Sequence, residues 1–172
     1  PEIYQLPDKP NVYFKLCEIL KETLGSVDPI RWIHKGDYRE GVQNIMIGSC
    51  QDGDMDVHKA LIQPNIVEFG ADSVPCLKSL QKFIPEDNQF RRAKVEMGNS
   101  LEEFIHNTQE YEALVVKEQI EFLRQRKYQP VASMFLYYWS DACPIMGSGL
   151  LDYYREPYEV YDAMKAVYTQ VL

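Results

Sequence analysis

Residues 64–77 read PNIVEFGADSVPCL. Ile66–Phe69 is apolar and β-branched apart from one acid, Glu68, and a Phe-Gly pair and a polar turn follow. The run is expected to be a buried strand with a carboxylate near its C-terminal end. A carboxylate held rigid and partly dry at such a place serves as a nucleophile or general base. A structural acid that caps a helix or pairs with an arginine fits the position equally well.

The segments on either side suggest the architecture. Residues 11–25 carry Val12, Leu16, Ile19, Leu20 and Leu24 at helical spacing, with Gly25 as a stop. Two short extended runs are expected next, Ile30–His34 and Gln43–Ser49, and a short segment near His58–Ile62 precedes the Glu68 strand. Residues 75–84 are expected to be helical, with Leu77, Leu80 and Phe83 on one side and Pro85 as the stop. Ser100 and Glu103 form a capping-box pattern that opens a long helix to about Lys127. Ala113, Val116, Ile120 and Leu123 mark one face of its second half, and a break is expected near His106–Glu110. PVASMFLYYW, residues 130–139, is the strongest strand signal. SDACPIMGSG then reads as a loop and LLDYY as a short extended piece. Pro157 opens a last helix that buries Val160, Tyr161, Met164, Tyr168 and Val171. Apolar strands alternating with helices imply an α/β protein with a helix-covered parallel sheet. In such folds chemistry sits at the C-terminal ends of strands, where Glu68 and Trp139–Asp141 would stand.

Bulk properties exclude several classes. The 172 residues suit one domain. The chain opens on Pro1 rather than Met, and a segment upstream of it is expected. A net charge of −8 argues against nucleic acid, which needs concentrated Lys and Arg. The basic clusters 91–94 and 124–127 read as solvated faces. No apolar run approaches the ~18 residues of a membrane span. The four cysteines, at 17, 50, 76 and 143, form no CxxC and lie apart from the histidines, so reduced thiols are expected rather than a zinc site.

VEFGADSVPCLKSLQKFIPEDN resembles the segment around the nucleophile of glycoside hydrolase family 2, where the motif is Ser-Glu-Phe/Tyr-Gly. The stretch SMFLYYWSDACPIMGSGLLDYYREPYEVYDAMK is similar to that family's last barrel strand and closing helix, with its Asn-Asp-x-Trp-Pro loop and its Asp-Tyr-Tyr. The resemblance implies that residues 1–172 are one partial domain, the C-terminal half (strands five to eight) of a (β/α)8 TIM barrel. It implies part of a retaining exo-β-glycosidase that cleaves terminal β-linked sugars through a covalent glycosyl-Glu68 intermediate. The β-mannosidase and exo-β-glucosaminidase branch reads closest. Glu68 carries over as nucleophile, and an ordinary Glu of pKa about 4.3 is already ionised at neutral pH. Asn44, Tyr138, Trp139 and Asp141 are the substrate-binding candidates. Tyr138 and Trp139 have core packing as their alternative, and Asp141 either bonds substrate or braces its loop. No cofactor and no metal are implied. The partners implied are a carbohydrate substrate and either the N-terminal half of the barrel or a second copy of the chain.

The chain also departs from the family pattern. A retaining glycosidase needs a second carboxyl about 5–5.5 Å from the first. The family's acid/base follows an Asn, and no Asn-Glu pair occurs in these residues. The isolated chain is therefore expected to be inactive, with the acid/base upstream. Val67 stands where the family has Ser, Met46, Ser49 and Cys50 where strand six often has aromatics, and Ser140 and Cys143 where Asn and Trp are usual. A non-catalytic half-barrel that binds carbohydrate or protein is the alternative these departures raise.

Overall fold

The computed structural model describes residues 10–34, 41–46, 56, 63–83 and 95–169. Its elements are α1 (Pro10–Val27), β1 (Val42–Met46), β2 (Asn65–Gly70), α2 (Leu77–Leu80), α3 (Leu101–Gln125), β3 (Ser133–Leu136) and α4 (Glu159–Tyr168). The strands form one parallel sheet in the order β1-β2-β3. The fold is thus mixed α/β around a small three-stranded parallel sheet.

The core lies between the sheet and α3. Ile45, Ile66 and Phe69 meet Val115, Val116, Ile120 and Leu123, and Leu150, Tyr158 and Val160 close the cluster. A second cluster joins Val74 and Leu80 to Phe104 and Ile105, with Leu77 and Phe83 packed on it. The apolar spacing of residues 77–83 therefore serves the purpose it suggested, although the helix itself is only one turn. The Ser100 hydroxyl caps α3 by accepting from the Glu103 amide at 3.1 Å. The Glu103 carboxylate reaches back to the Asn99 amide, which completes a reciprocal cap.

Four expectations need correction. Ile30–His34 is not a strand. α1 continues through Gly25 to Val27, and Asp28 Oδ1 then accepts from the amides of Ile30 and Arg31, both at 3.3 Å. That local turn satisfies the amides a strand would offer to a neighbour, and Ile30 is left 92% exposed. The expected break near His106–Glu110 does not occur, because α3 runs unbroken for 25 residues. The aromatic run at 130–139 contributes only Ser133–Leu136 to the sheet. Tyr168 is only partly covered, at 44% exposure, rather than buried. The His58–Ile62 segment, Ser49, Cys50, Pro85 and Val171 lie outside the described residues.

β2 carries the decisive irregularity. On the β1 side Gln43 pairs with Ile66 but Asn44 pairs with Glu68, so Val67 is skipped. On the β3 side Met134 pairs with Ile66 and Leu136 with Phe69, so three steps along β2 match two along β3. The strand therefore holds one extra residue between Ile66 and Phe69. Strict alternation from Ile66 would turn Glu68 towards the α3 core. The extra residue lets Ile66 and Phe69 both bury there and leaves Glu68 half-buried. Gly70 then sits at φ +147°, and a Cβ on it would lie 3.2 Å from the Tyr137 carbonyl oxygen. Only glycine combines that backbone with so close an approach of β2 to the end of β3.

Candidate functional site

Glu68 and Asn44 meet across β1 and β2. They are register partners, and the Asn44 Nδ2 amide donates to Glu68 Oε2. Both residues are half-buried. A primary amide aimed at one carboxylate oxygen fixes the carboxyl plane, so the rigid backbone of two paired strands sets the direction of the acid. That arrangement suits a nucleophile or a base, whose attacking oxygen must be held in line.

Tyr138 and Asp141 also come together, in the loop after β3. Asp141 is 1% exposed. Its Oδ2 accepts from the Tyr158 hydroxyl at 2.7 Å and its Oδ1 from the Gly149 amide at 3.2 Å. Tyr138 bonds to the same carboxyl. Burial pushes the Asp141 carboxyl above the usual range, and the Tyr158 and Tyr138 hydroxyls oppose that shift. Burial and the Asp141 charge raise both tyrosines. Asp141 therefore braces the turn at Gly147–Gly149. A Cβ on Gly147 would lie 2.5 Å from Asp141 Oδ1, and one on Gly149 2.7 Å from it. Trp139 is 65% exposed and pairs through its carbonyl with the Leu151 amide.

A third group was not anticipated from the sequence. α3 presents Thr108, Gln109 and Glu112, all buried, to the loop that follows β2. The Ser73 hydroxyl donates to Glu112 Oε2 at 2.5 Å, and the Val74 amide donates to Thr108 Oγ1 at 3.1 Å. Gln109 Nε2 donates to the Val74 carbonyl at 2.7 Å, and Gln109 Oε1 accepts from the Glu159 amide at the start of α4. The Ser73 amide bonds to the Gly147 carbonyl at 2.9 Å, and the Ser148 hydroxyl donates to Asp72. The legible signal was polar residues at i, i+1 and i+4 inside an otherwise apolar stripe. In the structure they satisfy a loop and leave the helix continuous.

A cavity of about 260 Å³ opens at the other end of β3, between Arg124, Lys127, Ser133 and Tyr168. It lies away from the strand end that carries Tyr138 and Asp141. Among the described residues no group of three or more His, Cys, Asp or Glu is arranged to hold a metal ion, and Cys17, Cys76 and Cys143 are free thiols.

No family model matches the chain, and no curated relative matches it by sequence. Among solved structures the fold is similar to part of a β-D-mannosidase from Dictyoglomus thermophilum, with a TM-score of 0.58 and 20% identity. The match covers 67% of this chain and 17% of the mannosidase chain. The matched residues thus share the fold of a segment of a glycosidase about six times longer than the match.

Proposed function

We propose that the chain is the C-terminal half of the catalytic (β/α)8 barrel of a retaining exo-β-glycosidase, with Glu68 as its nucleophile. The observation that carries this reading is the Asn44–Glu68 pair, a carboxylate oriented by an amide on adjacent parallel strands. The fold likeness to a β-mannosidase supports it, and for this chain it suggests a terminal β-linked sugar as substrate.

In the reaction a Glu68 oxygen attacks the anomeric carbon while the glycosidic C–O bond breaks. The leaving oxygen takes its proton from a second carboxylic acid. Water then attacks the same carbon, gives a proton back to that second carboxylate, and releases Glu68. The second acid is expected from chain beyond these residues, so the isolated 172 residues should not turn over substrate. Asn44 orients the nucleophile, Trp139 is the exposed aromatic face for a sugar ring, and Tyr138 with Asp141 shape the loop beside it.

Two measurements test the assignment on the glycosidase-active polypeptide that carries these residues. Glu68→Gln should lower kcat on aryl β-glycosides by roughly 10⁴-fold or more, the scale on which covalent enzymes lose activity without their nucleophile. A 2-deoxy-2-fluoro glycoside should label the peptide that holds Glu68. Undiminished turnover, or a label elsewhere, removes Glu68 from the role. Sugar binding with no turnover would instead favour a non-catalytic carbohydrate-binding half-barrel. The engagement of Tyr138 and Asp141 with each other is the feature that favours that second reading.

A further inference from the structure

Glu112 is a carboxyl that the proposed reaction leaves without a task. It lies in the middle of α3, is 1% exposed, and accepts the Ser73 hydroxyl at 2.5 Å. Ser73 is five residues beyond Glu68, in the loop that β2 runs into. The charged groups facing Glu112 are Asp72 of that loop and Asp141 of the loop after β3, and the Tyr158 phenol before α4 also feels it. From α3 itself the neighbours on the buried stripe are the neutral Thr108 and Gln109. Glu112 is thus buried within reach of two further carboxyl charges, the buried Asp141 and the half-buried Asp72.

We propose that Glu112 is a positioning residue for Glu68, anchoring through Ser73 the loop that follows the Glu68 strand, and that it does so only while it keeps its proton. The positioning role rests on Glu68 being the nucleophile; the anchor itself rests on the geometry alone. A neutral carboxyl accepts from Ser73 without setting a third negative charge beside Asp72 and Asp141. Loss of its proton puts an unpaired charge into a buried site, and the charge is relieved by opening the 71–74 loop to water. Burial, with the Asp72 and Asp141 charges added to it, holds Glu112 well above the ordinary glutamate value against the opposing pull of the Ser73 hydroxyl. The sign follows from linkage. The folded loop binds the proton more tightly than the open one, so the anchor is complete below the ordinary glutamate value. It weakens as pH rises towards the raised one.

Hydrogen exchange on the full chain tests this between pH 5 and 8. After correction for intrinsic rates, the opening equilibrium at Ala71–Val74 should rise with pH, by up to about tenfold per unit. Glu112→Gln keeps an acceptor for Ser73 and cannot ionise, so its curve should be flat. Ser73→Ala should open the loop at every pH. Wild-type exchange that does not change with pH overturns the proposal without any variant having to fold. In the active polypeptide, Glu112→Gln should move the alkaline limb of the kcat profile upwards and leave KM in place. An unmoved limb, with exchange altered, reduces Glu112 to a structural clamp and refutes its positioning role. If wild type cleaves no β-glycoside, the glycosidase reading fails while the exchange data still judge the anchor.

Discussion

Tyr158→Phe removes one oxygen atom and leaves the packing of the ring intact. Tyr158 is 2% exposed and donates its hydroxyl to Asp141 Oδ2 at 2.7 Å. The acceptor is buried and ionisable, so the lost bond belongs to the charge-assisted kind, worth about 1.5–3 kcal/mol. Asp141 keeps the Gly149 amide and Tyr138 as partners, which argues for the lower half of that range. For a chain of this size the loss corresponds to a fall in Tm of roughly 3–10 °C. The pH dependence carries the stronger test. Burial already holds the Asp141 carboxyl above its ordinary value, and the Tyr158 hydroxyl is the largest force pulling it down. Phenylalanine should raise it further. A raised carboxyl contributes stability that is complete below its unfolded value and is lost as pH rises through its folded one. The variant should therefore lose more stability than wild type between pH 4 and 7.5, and the two curves should converge in acid. Urea denaturation across that range, with unchanged m, measures the gap. A gap of the same size at pH 4 and pH 7.5, or no gap at either, would show that Asp141 does not rely on this hydroxyl as a charged acceptor.

Two further outcomes are expected. Phe69→Ala empties the centre of the β2–α3 core, where the ring is fully buried, and should cost about 3–5 kcal/mol in urea denaturation; a loss under about 1 kcal/mol would mean the ring does not fill that space. Among the described residues β1 and β3 each pair on one side only, and Phe135 on β3 is 59% exposed. The chain alone should therefore associate with itself or with the rest of a barrel, and sedimentation as a compact monomer that binds no hydrophobic dye would count against the half-barrel reading.

What could be read from residues alone depended on whether the signal was local. The start of α3 was legible because Ser100 and Glu103 satisfy each other's neighbourhood within one turn. The Glu68 strand was legible because β-branched residues and a following glycine are local cues. Ile30–His34 carried the same cues and misled, because Asp28 upstream of it had already satisfied the local amides. The role of the polar stripe of α3 was not legible for a related reason. Thr108, Gln109 and Glu112 look like an interrupted apolar face until the 72–74 loop, more than thirty residues earlier, supplies their partners. Asn44 with Glu68, and Tyr138 with Asp141, were named as candidates singly. Their pairing depends on strand register and loop closure, which no spacing along the chain encodes.

The extra residue in β2 links the fold to the candidate chemistry. Were β2 to run through Val67 in regular pairing, Glu68 would alternate onto the face of Ile66, among Val115, Val116 and Ile120, where an unpaired carboxylate is costly to bury and would neutralise. With the bulge, Phe69 takes that place in the core, and its packing holds the irregularity in register. The same shift brings Asn44 opposite Glu68, supplying a donor to the acid it has just turned out of the core. Core stability and acid orientation are thus two consequences of one displaced residue. Phe69→Ala removes the residue whose packing holds the bulge in register and should damage both together, whereas Glu68→Gln should leave the core alone. That separation distinguishes an acid presented for chemistry from one that merely survives at the edge of a packed sheet.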